Sequence, residues 1–254
     1  MNELKALIFD VDGTLADTER DGHRVAFNRA FQEAGLDWDW SEDLYGELLA
    51  VTGGKERIRY FVERFLPAER RPLDIDRLAP ELHALKTRHY LALLREGRIP
   101  LRDGVARLLN EARAQGIDLA VATTTTPENV TMLLESTLGP ASVGWFRVIG
   151  AGDVVPRKKP DPGIYHYVLD RLGLPATGCV AIEDSGHGLR AATAAGVPTI
   201  VTVNGYTRGE CFDGALLVLD RLGDPGLPSR VLQGNMAQAY VDLPFLERLL
   251  GDAR

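Results

Sequence analysis

At 254 residues and a formal charge of -7, the chain is long enough for one large domain or a core with a smaller partner, and it lacks the basic excess of a general nucleic-acid surface. Hydrophobic residues make up 45% of it, enough for a real core, while two cysteines, Cys179 and Cys211, exclude a disulfide framework and show no metal spacing. The opening Met1-Asn2-Glu3-Leu4-Lys5 is charged and the apolar run behind it is too short for a signal peptide or a membrane span, so neither is expected. The expectation is a soluble, monomeric protein of the cytoplasm that contacts neither membrane nor nucleic acid.

The run Ala6 to Phe9 reads as a strand buried on both faces, stopping on Asp10-Val11-Asp12-Gly13-Thr14. In extended chain the i, i+2 spacing points both carboxylates the same way, and Gly13 permits a sharp turn beyond them. Taken alone, a solvated Asp-Gly turn fits equally well. A helical pattern follows in Val25, Phe27, Ala30, Phe31 and Ala34, ending at Gly35, with Asp17 or Thr18 available as its cap. Residues from about 20 to 95 are predicted helical throughout, with boundaries good to about two to four residues. Their apolar faces run through Leu44, Leu48 and Leu49, then Ile58, Phe61, Val62, Phe65 and Leu66, then Leu78, Leu82, Leu85, Tyr90, Leu91 and Leu94.

From Gly104 helices and strands alternate. Helices are predicted over Val105 to Ala114, Asn129 to Leu138, Pro162 to Leu172 and Leu189 to Ala195; strands over Ile117 to Ala122, Phe146 to Ile149, Val180 to Ile182 and Thr199 to Val203. Such alternation implies right-handed crossovers and a parallel sheet covered on both faces. Gly223 to Gly234 reads as loop. Phe245, Leu246, Leu249 and Leu250 recur at helical spacing after Pro244, a good first helical residue.

Four strands then end in polar residues: Asp10/Asp12, Thr123, Asp153 and Glu183/Asp184. Carboxyl ends of a parallel sheet gather on one edge, where ligands bind. Acids crowded there need a cation, and hard oxygen donors favour Mg²⁺. Lys159, in Arg157-Lys158-Lys159-Pro160, can reach the same edge; Lys158 reads as an ordinary solvated residue. The parts suit phosphoryl transfer, with Asp10 as nucleophile, Asp12 as proton carrier, and Thr123 and Lys159 holding the phosphoryl oxygens.

These motifs, Asp10-Val11-Asp12-Gly13-Thr14, Thr123, Lys159-Pro160 and Glu183-Asp184, resemble the four ordered motifs of the haloacid dehalogenase-like phosphohydrolases. The resemblance implies an α/β fold: a doubly wound parallel sheet, Rossmann-like, over residues 1–17 and 99–254, with an inserted α-helical cap over 18–98. It also implies Mg²⁺ held by Asp10, Asp12 and the pair Glu183/Asp184, the second member of that pair most often being the ligand. The stretches Thr52-Gly53-Gly54-Lys55-Glu56-Arg57-Ile58, Leu119 to Thr125 and Lys158-Lys159-Pro160 are similar to the CbbY group of that family. That similarity implies a phosphatase for xylulose 1,5-bisphosphate, an inhibitory misfire product of the Calvin-cycle carboxylase Rubisco. Glu19, Gly53, Gly54, Lys55, Glu56, Arg57, His83, Lys86, Thr124 and Thr125 would then contact substrate. The segment Asp17 to His23 is one residue longer before its histidine than is usual in the family, so His23 is given no role.

The cap site also has a physical basis. Gly53-Gly54 frees backbone N–H groups at a helix start, with Lys55 and Arg57 beside them, which suits a second phosphate. It is not a Walker A loop, because Glu56 follows Lys55 and no strand precedes it. His83 and Lys86 share a helix face at i, i+3; on spacing alone a solvated stripe fits them better, and the resemblance reverses that preference. Two other functions stay open: a sugar phosphomutase on the same core, and a non-catalytic phospho-ligand binder, which would tolerate loss of Asp12 or Lys159. Asp12 itself argues for phosphate chemistry over dehalogenation.

Overall fold

The computed structural model describes residues 3–51 and 53–252. Thr52, from the cap motif quoted above, lies outside the described residues. The chain forms two compact units, Met1–Asp17 with Pro100–Arg254, and Thr18–Ile99.

Strand β1 (Ala6–Phe9) opens the first unit and is wholly buried. The second unit contains a π-helical turn at Thr18–His23, then α1 (Arg24–Glu33), α2 (Glu42–Leu48), α3 (Gly54–Phe65) and α4 (Ile75–Arg95). The first unit resumes with α5 (Val105–Ala114), β2 (Asp118–Ala122), α6 (Pro127–Leu138), β3 (Phe146–Gly150), α7 (Gly163–Leu172), β4 (Cys179–Glu183), α8 (Gly186–Ala194), β5 (Thr199–Thr202), β6 (Leu217–Leu219), β7 (Val231–Gln233) and α9 (Leu243–Asp252).

The strands form one seven-stranded sheet in the order β3-β2-β1-β4-β5-β6-β7. Every neighbouring pair is parallel except β6 with β7. The α/β class expected from the alternation is what the chain adopts. Period 2 divides β1 between two faces. Ala6 and Ile8 pack with Ile164, Val168, Leu172, Ala191 and Ala192 from α7 and α8, where small alanines let α8 lie close. The antiparallel edge strand β7 corrects the expectation of a continuous loop from Gly223 to Gly234. It is short and mostly exposed, so it carries no burial pattern to read. Short polar side chains start several helices: Thr126 accepts from Asn129 N, Ser185 from Gly188 N and Asp242 from Phe245 N. Such caps contribute about 1 kcal/mol each. With Asp242 as cap, Pro244 is the second helical residue of α9, one later than expected.

In the helical unit, Phe27, Phe31, Trp38, Trp40 and Phe61 meet in tilted and edge-to-face pairs with centroids 4.6 to 5.4 Å apart. The buried stripe of α4 runs Ala79, Leu82, Lys86, Tyr90, Leu93 and Leu94, so a lysine occupies a core position. The segment that ends at His23 forms a π-helical turn, the helix form that accommodates one inserted residue. Neither Asp17 nor Thr18 caps α1, because the π-turn runs straight into it.

Candidate active site

Parallel pairing sets the carboxyl ends of the central strands side by side. Phe9 is in register with Val121 of β2 and with Ile182 of β4, so Asp10, Thr123 and Glu183 emerge at one edge. Asp10 N continues the ladder to Ile182 O at 3.0 Å, and Thr123 N bonds Gly150 O at 2.9 Å.

Lys159 Nζ lies 2.7 Å from Asp10 Oδ1 and 2.6 Å from Glu183 Oε1, with its side chain 6% exposed. Lys159 is joined to Pro160 by a cis peptide bond. Tyr165, from α7, donates its hydroxyl to the same Glu183 Oε1, while Glu183 Oε2 is buried without a partner. Asp184 Oδ2 accepts from Asn204 Nδ2 at 2.6 Å. Carboxylate oxygens of Asp10, Glu183 and Asp184 all fall within 4.8 Å of one another. Burial pushes the Asp10 carboxyl up to about 7 against the opposing pull of Lys159, with Glu183 and Asp12 adding to the rise. Asp184 is raised as well, by burial first and then by Asp10 and Glu183. Those shifts, the orphaned Glu183 oxygen and an all-oxygen donor set fit a hard divalent cation.

Two glycines make room for this cluster. A Cβ at Gly188 would overlap the Glu183 carboxylate, and one at Gly13 would overlap Asp184. Asp12 is half-buried in the turn beyond β1, where it bridges to Ala16. The Thr123 hydroxyl accepts from Thr125 N at 3.3 Å, which leaves its O–H to donate outward. Thr124 is exposed, and Thr125 Oγ1 accepts from Asn129 Nδ2. Asp153 does not join the acids: its exposed side chain pairs with Lys158 at 2.6 Å. The strand ends before it, and the chain carries Asp153 outward to solvent.

The helical unit holds its own polar groups. Gly53, at φ +97°, ψ 134°, takes a backbone shape closed to other residues and starts α3. Lys55 and Glu56 are exposed on the first turn. Arg57 turns the other way: its buried guanidinium donates to Leu48 O, Val51 O and the Tyr45 hydroxyl, and Tyr45 donates to Glu19 at 2.5 Å. Arg57 thus ties α3 to the end of α2. His83 packs against Gly54, where a Cβ would stand 2.5 Å from its ring. Burial, followed by the charges of Lys86 and Lys55, brings His83 down to about 4. Lys86 Nζ lies 2.8 Å from His23 Nδ1 and over the rings of Tyr90 and Phe27.

Several of these residues escape a reading of the sequence. Asn204 lies two residues past the end of β5, near enough for the strand-end rule to have found it. His23, given no role from the sequence, ends the π-turn and meets Lys86. Tyr45 and Tyr165 carry no local signal.

A family model for haloacid dehalogenase-like hydrolases matches residues 4–196. The chain belongs to that family, and within it is a phosphatase. Its similarity to CbbY proteins is extensive. It is 49% identical to the plasmid CbbY protein of Cupriavidus necator over 243 residues, 96% of this chain and 95% of that one. The crystal structure of CbbY from Rhodobacter sphaeroides in complex with phosphate has a TM-score of 0.74 at 48% identity, covering 86% of this chain and 94% of that one. A mutant of the same protein in complex with xylulose 1,5-bisphosphate has a TM-score of 0.75 at 46% identity, covering 88% and 98%. No helix among the described residues is long and apolar enough to cross a membrane.

Proposed function

We propose that this chain is a Mg²⁺-dependent phosphatase that hydrolyses a sugar bisphosphate, xylulose 1,5-bisphosphate, through an aspartyl-phosphate. The observation that carries the reading is the Asp10 carboxylate held at 2.7 Å by Lys159 within the three-acid cluster. Similarity to a CbbY protein complexed with xylulose 1,5-bisphosphate supports the substrate.

In this reading the sheet-bearing unit does the chemistry. An Asp10 oxygen attacks phosphorus, the ester P–O bond breaks, and Asp12 gives its proton to the departing sugar oxygen. Asp12 then takes a proton from water as that water attacks the aspartyl-phosphate, releasing inorganic phosphate and restoring Asp10. Thr123 and Lys159 offset charge on the phosphoryl oxygens. Asp10, Glu183, Asp184 and the Asp12 backbone would hold Mg²⁺, which supplies charge neutralisation when bound. The helical unit, as a cap, selects the substrate: the α3 start at Gly53 and Gly54 offers backbone N–H groups, Lys55 and Lys86 supply cations, and neutral His83 supplies a ring N–H for the second phosphate. Glu19 hydrogen-bonds a sugar hydroxyl, Glu56 and Arg57 shape the loop, and Thr124 and Thr125 line the phosphoryl pocket. The cytoplasm is the natural setting, since both Cys179 and Cys211 are free thiols.

The test is phosphate release with and without Mg²⁺ from xylulose 1,5-bisphosphate, ribulose 1,5-bisphosphate and β-glucose 1-phosphate. Metal-dependent release favouring the xylulose compound is expected. Release from none of the three by folded protein would overturn the substrate assignment.

A further inference from the structure

Arg102 lies in the sheet-bearing unit, outside every motif described above, and its side chain is only 10% exposed. Its backbone N–H bonds Leu15 O at 2.8 Å. Its guanidinium joins three separate segments. Nη1 donates to Gly13 O in the turn after β1 and to Thr202 O at the end of β5, 2.8 Å away, with Thr202 Oγ1 at 3.2 Å. Nη2 donates to Val203 O at 2.6 Å and to Asp220 O, just past β6, at 2.9 Å. Nε faces Asp17 at 3.6 Å. The terminal N–H groups are thus committed to backbone carbonyls, an unusual use for a buried cation whose ordinary partner is a carboxylate.

The segments it joins are those that frame the acids. Gly13 sits directly on Asp184 and Asn204, where a Cβ would overlap both side chains' space. Asn204 follows Val203 and holds Asp184 Oδ2 at 2.6 Å. Fixing Gly13 O and Val203 O from one rigid planar group therefore fixes the turn bearing Asp12 against the segment that orients Asp184. We propose that Arg102 is a positioning residue for the phosphatase reaction, clamping the Asp10–Ala16 turn to the carboxyl ends of β5 and β6. The inference rests on the roles proposed for Asp12 and Asp184. A lysine has three N–H groups on one atom and cannot span these carbonyls in the same geometry.

The experiment compares the full chain with Arg102→Met, Arg102→Lys and Arg107→Met. Arg107 is a stability control: it bonds Asp224, Glu111, Gly223 O and Val241 O, away from the acids. Mg²⁺ affinity is read by calorimetry, and kcat and KM on an aryl monophosphate, all below each protein's melting temperature. Arg102→Met is expected to weaken Mg²⁺ binding and lower kcat by about 10–100-fold, as loss of an outer-shell partner does, with KM nearly unchanged. Arg102→Lys should recover part of both, and Arg107→Met should lower only the melting temperature. Wild-type Mg²⁺ affinity and kcat in folded Arg102→Met would overturn the inference, as would equal losses in Arg107→Met. A wild-type chain that neither binds Mg²⁺ nor releases phosphate would overturn the roles of Asp12 and Asp184, and the inference with them.

Discussion

Lys159 Nζ stands 2.7 Å from Asp10 Oδ1, and the same ammonium reaches Glu183 Oε1 at 2.6 Å. One buried cation therefore serves two buried acids, with Asp184 a third carboxylate close by. Burial raises Asp10 to about 7 against the pull of Lys159, and the neighbouring charges of Glu183 and Asp12 add to the rise. Asp10→Asn removes one negative charge while its amide oxygen still accepts from Lys159. The melting temperature without divalent ions should stay level or rise. Turnover should fall on the order of 10³-fold or more, the scale of losing a nucleophile. Substantial residual phosphate release would show that another group attacks phosphorus.

Gly188 is a second point of leverage. It lies in α8, directly behind the Glu183 carboxylate, and both residues are buried. A methyl group there has no flexible neighbour to displace, since Glu183 is held by Lys159 and Tyr165. Gly188→Ala should destabilise by about 1–3 kcal/mol, the range for overpacking, and should also reduce activity. Gly144→Ala, at a position with open space around its Cβ, serves as the comparison. Matching melting temperatures for the two would mean Glu183 moves aside freely.

The central strands were legible because a strand buried on both faces is a short apolar run, and because strand ends of a parallel sheet collect polar residues. Asp10, Thr123, Glu183 and Asp184 could be marked on that ground, and Lys159 by its place in the basic loop after β3. The same rule misplaced Asp153, whose carboxylate turns to solvent beside Lys158. β7 was hidden by its length and exposure. Arg102 was hidden for a different reason. It earns its place through backbone carbonyls of Gly13, Thr202, Val203 and Asp220, and carbonyls leave no trace in side-chain pattern. Lys86 was placed with His83 by helical spacing, yet its burial in line with Leu82 and Tyr90 depends on the partner His23, which comes from another segment.

His83 links the helical unit to pH. Its folded value near 4 lies below the ordinary 6.5, through burial and the charges of Lys86 and Lys55. The unfolded chain takes up a proton as pH falls through about 6.5, while the folded chain does not until about 4. His83 therefore contributes stability above about 6.5 that is lost progressively down to about 4. His83→Gln should flatten the fall of melting temperature across that window relative to wild type. Parallel curves for the two proteins would remove His83 as a source of acid sensitivity.

Lys55 separates recognition from chemistry. It is exposed on the first turn of α3, close enough to His83 to help hold that ring neutral. An exposed lysine at a helix start stabilises the fold little, so Lys55→Ala should leave the melting temperature within about 1 °C, given the small worth of surface charges. Under the proposed function its effect belongs to a second phosphate, where a cation beside free backbone N–H groups adds affinity. KM for a sugar bisphosphate should rise about tenfold, roughly 1.4 kcal/mol, while KM for a small monophosphate stays level. The ratio of the two KM values is the diagnostic quantity, because a change in the phosphoryl-transfer site would move both together. Equal shifts would place Lys55 outside the distal-phosphate contact and return that role to His83 and Lys86.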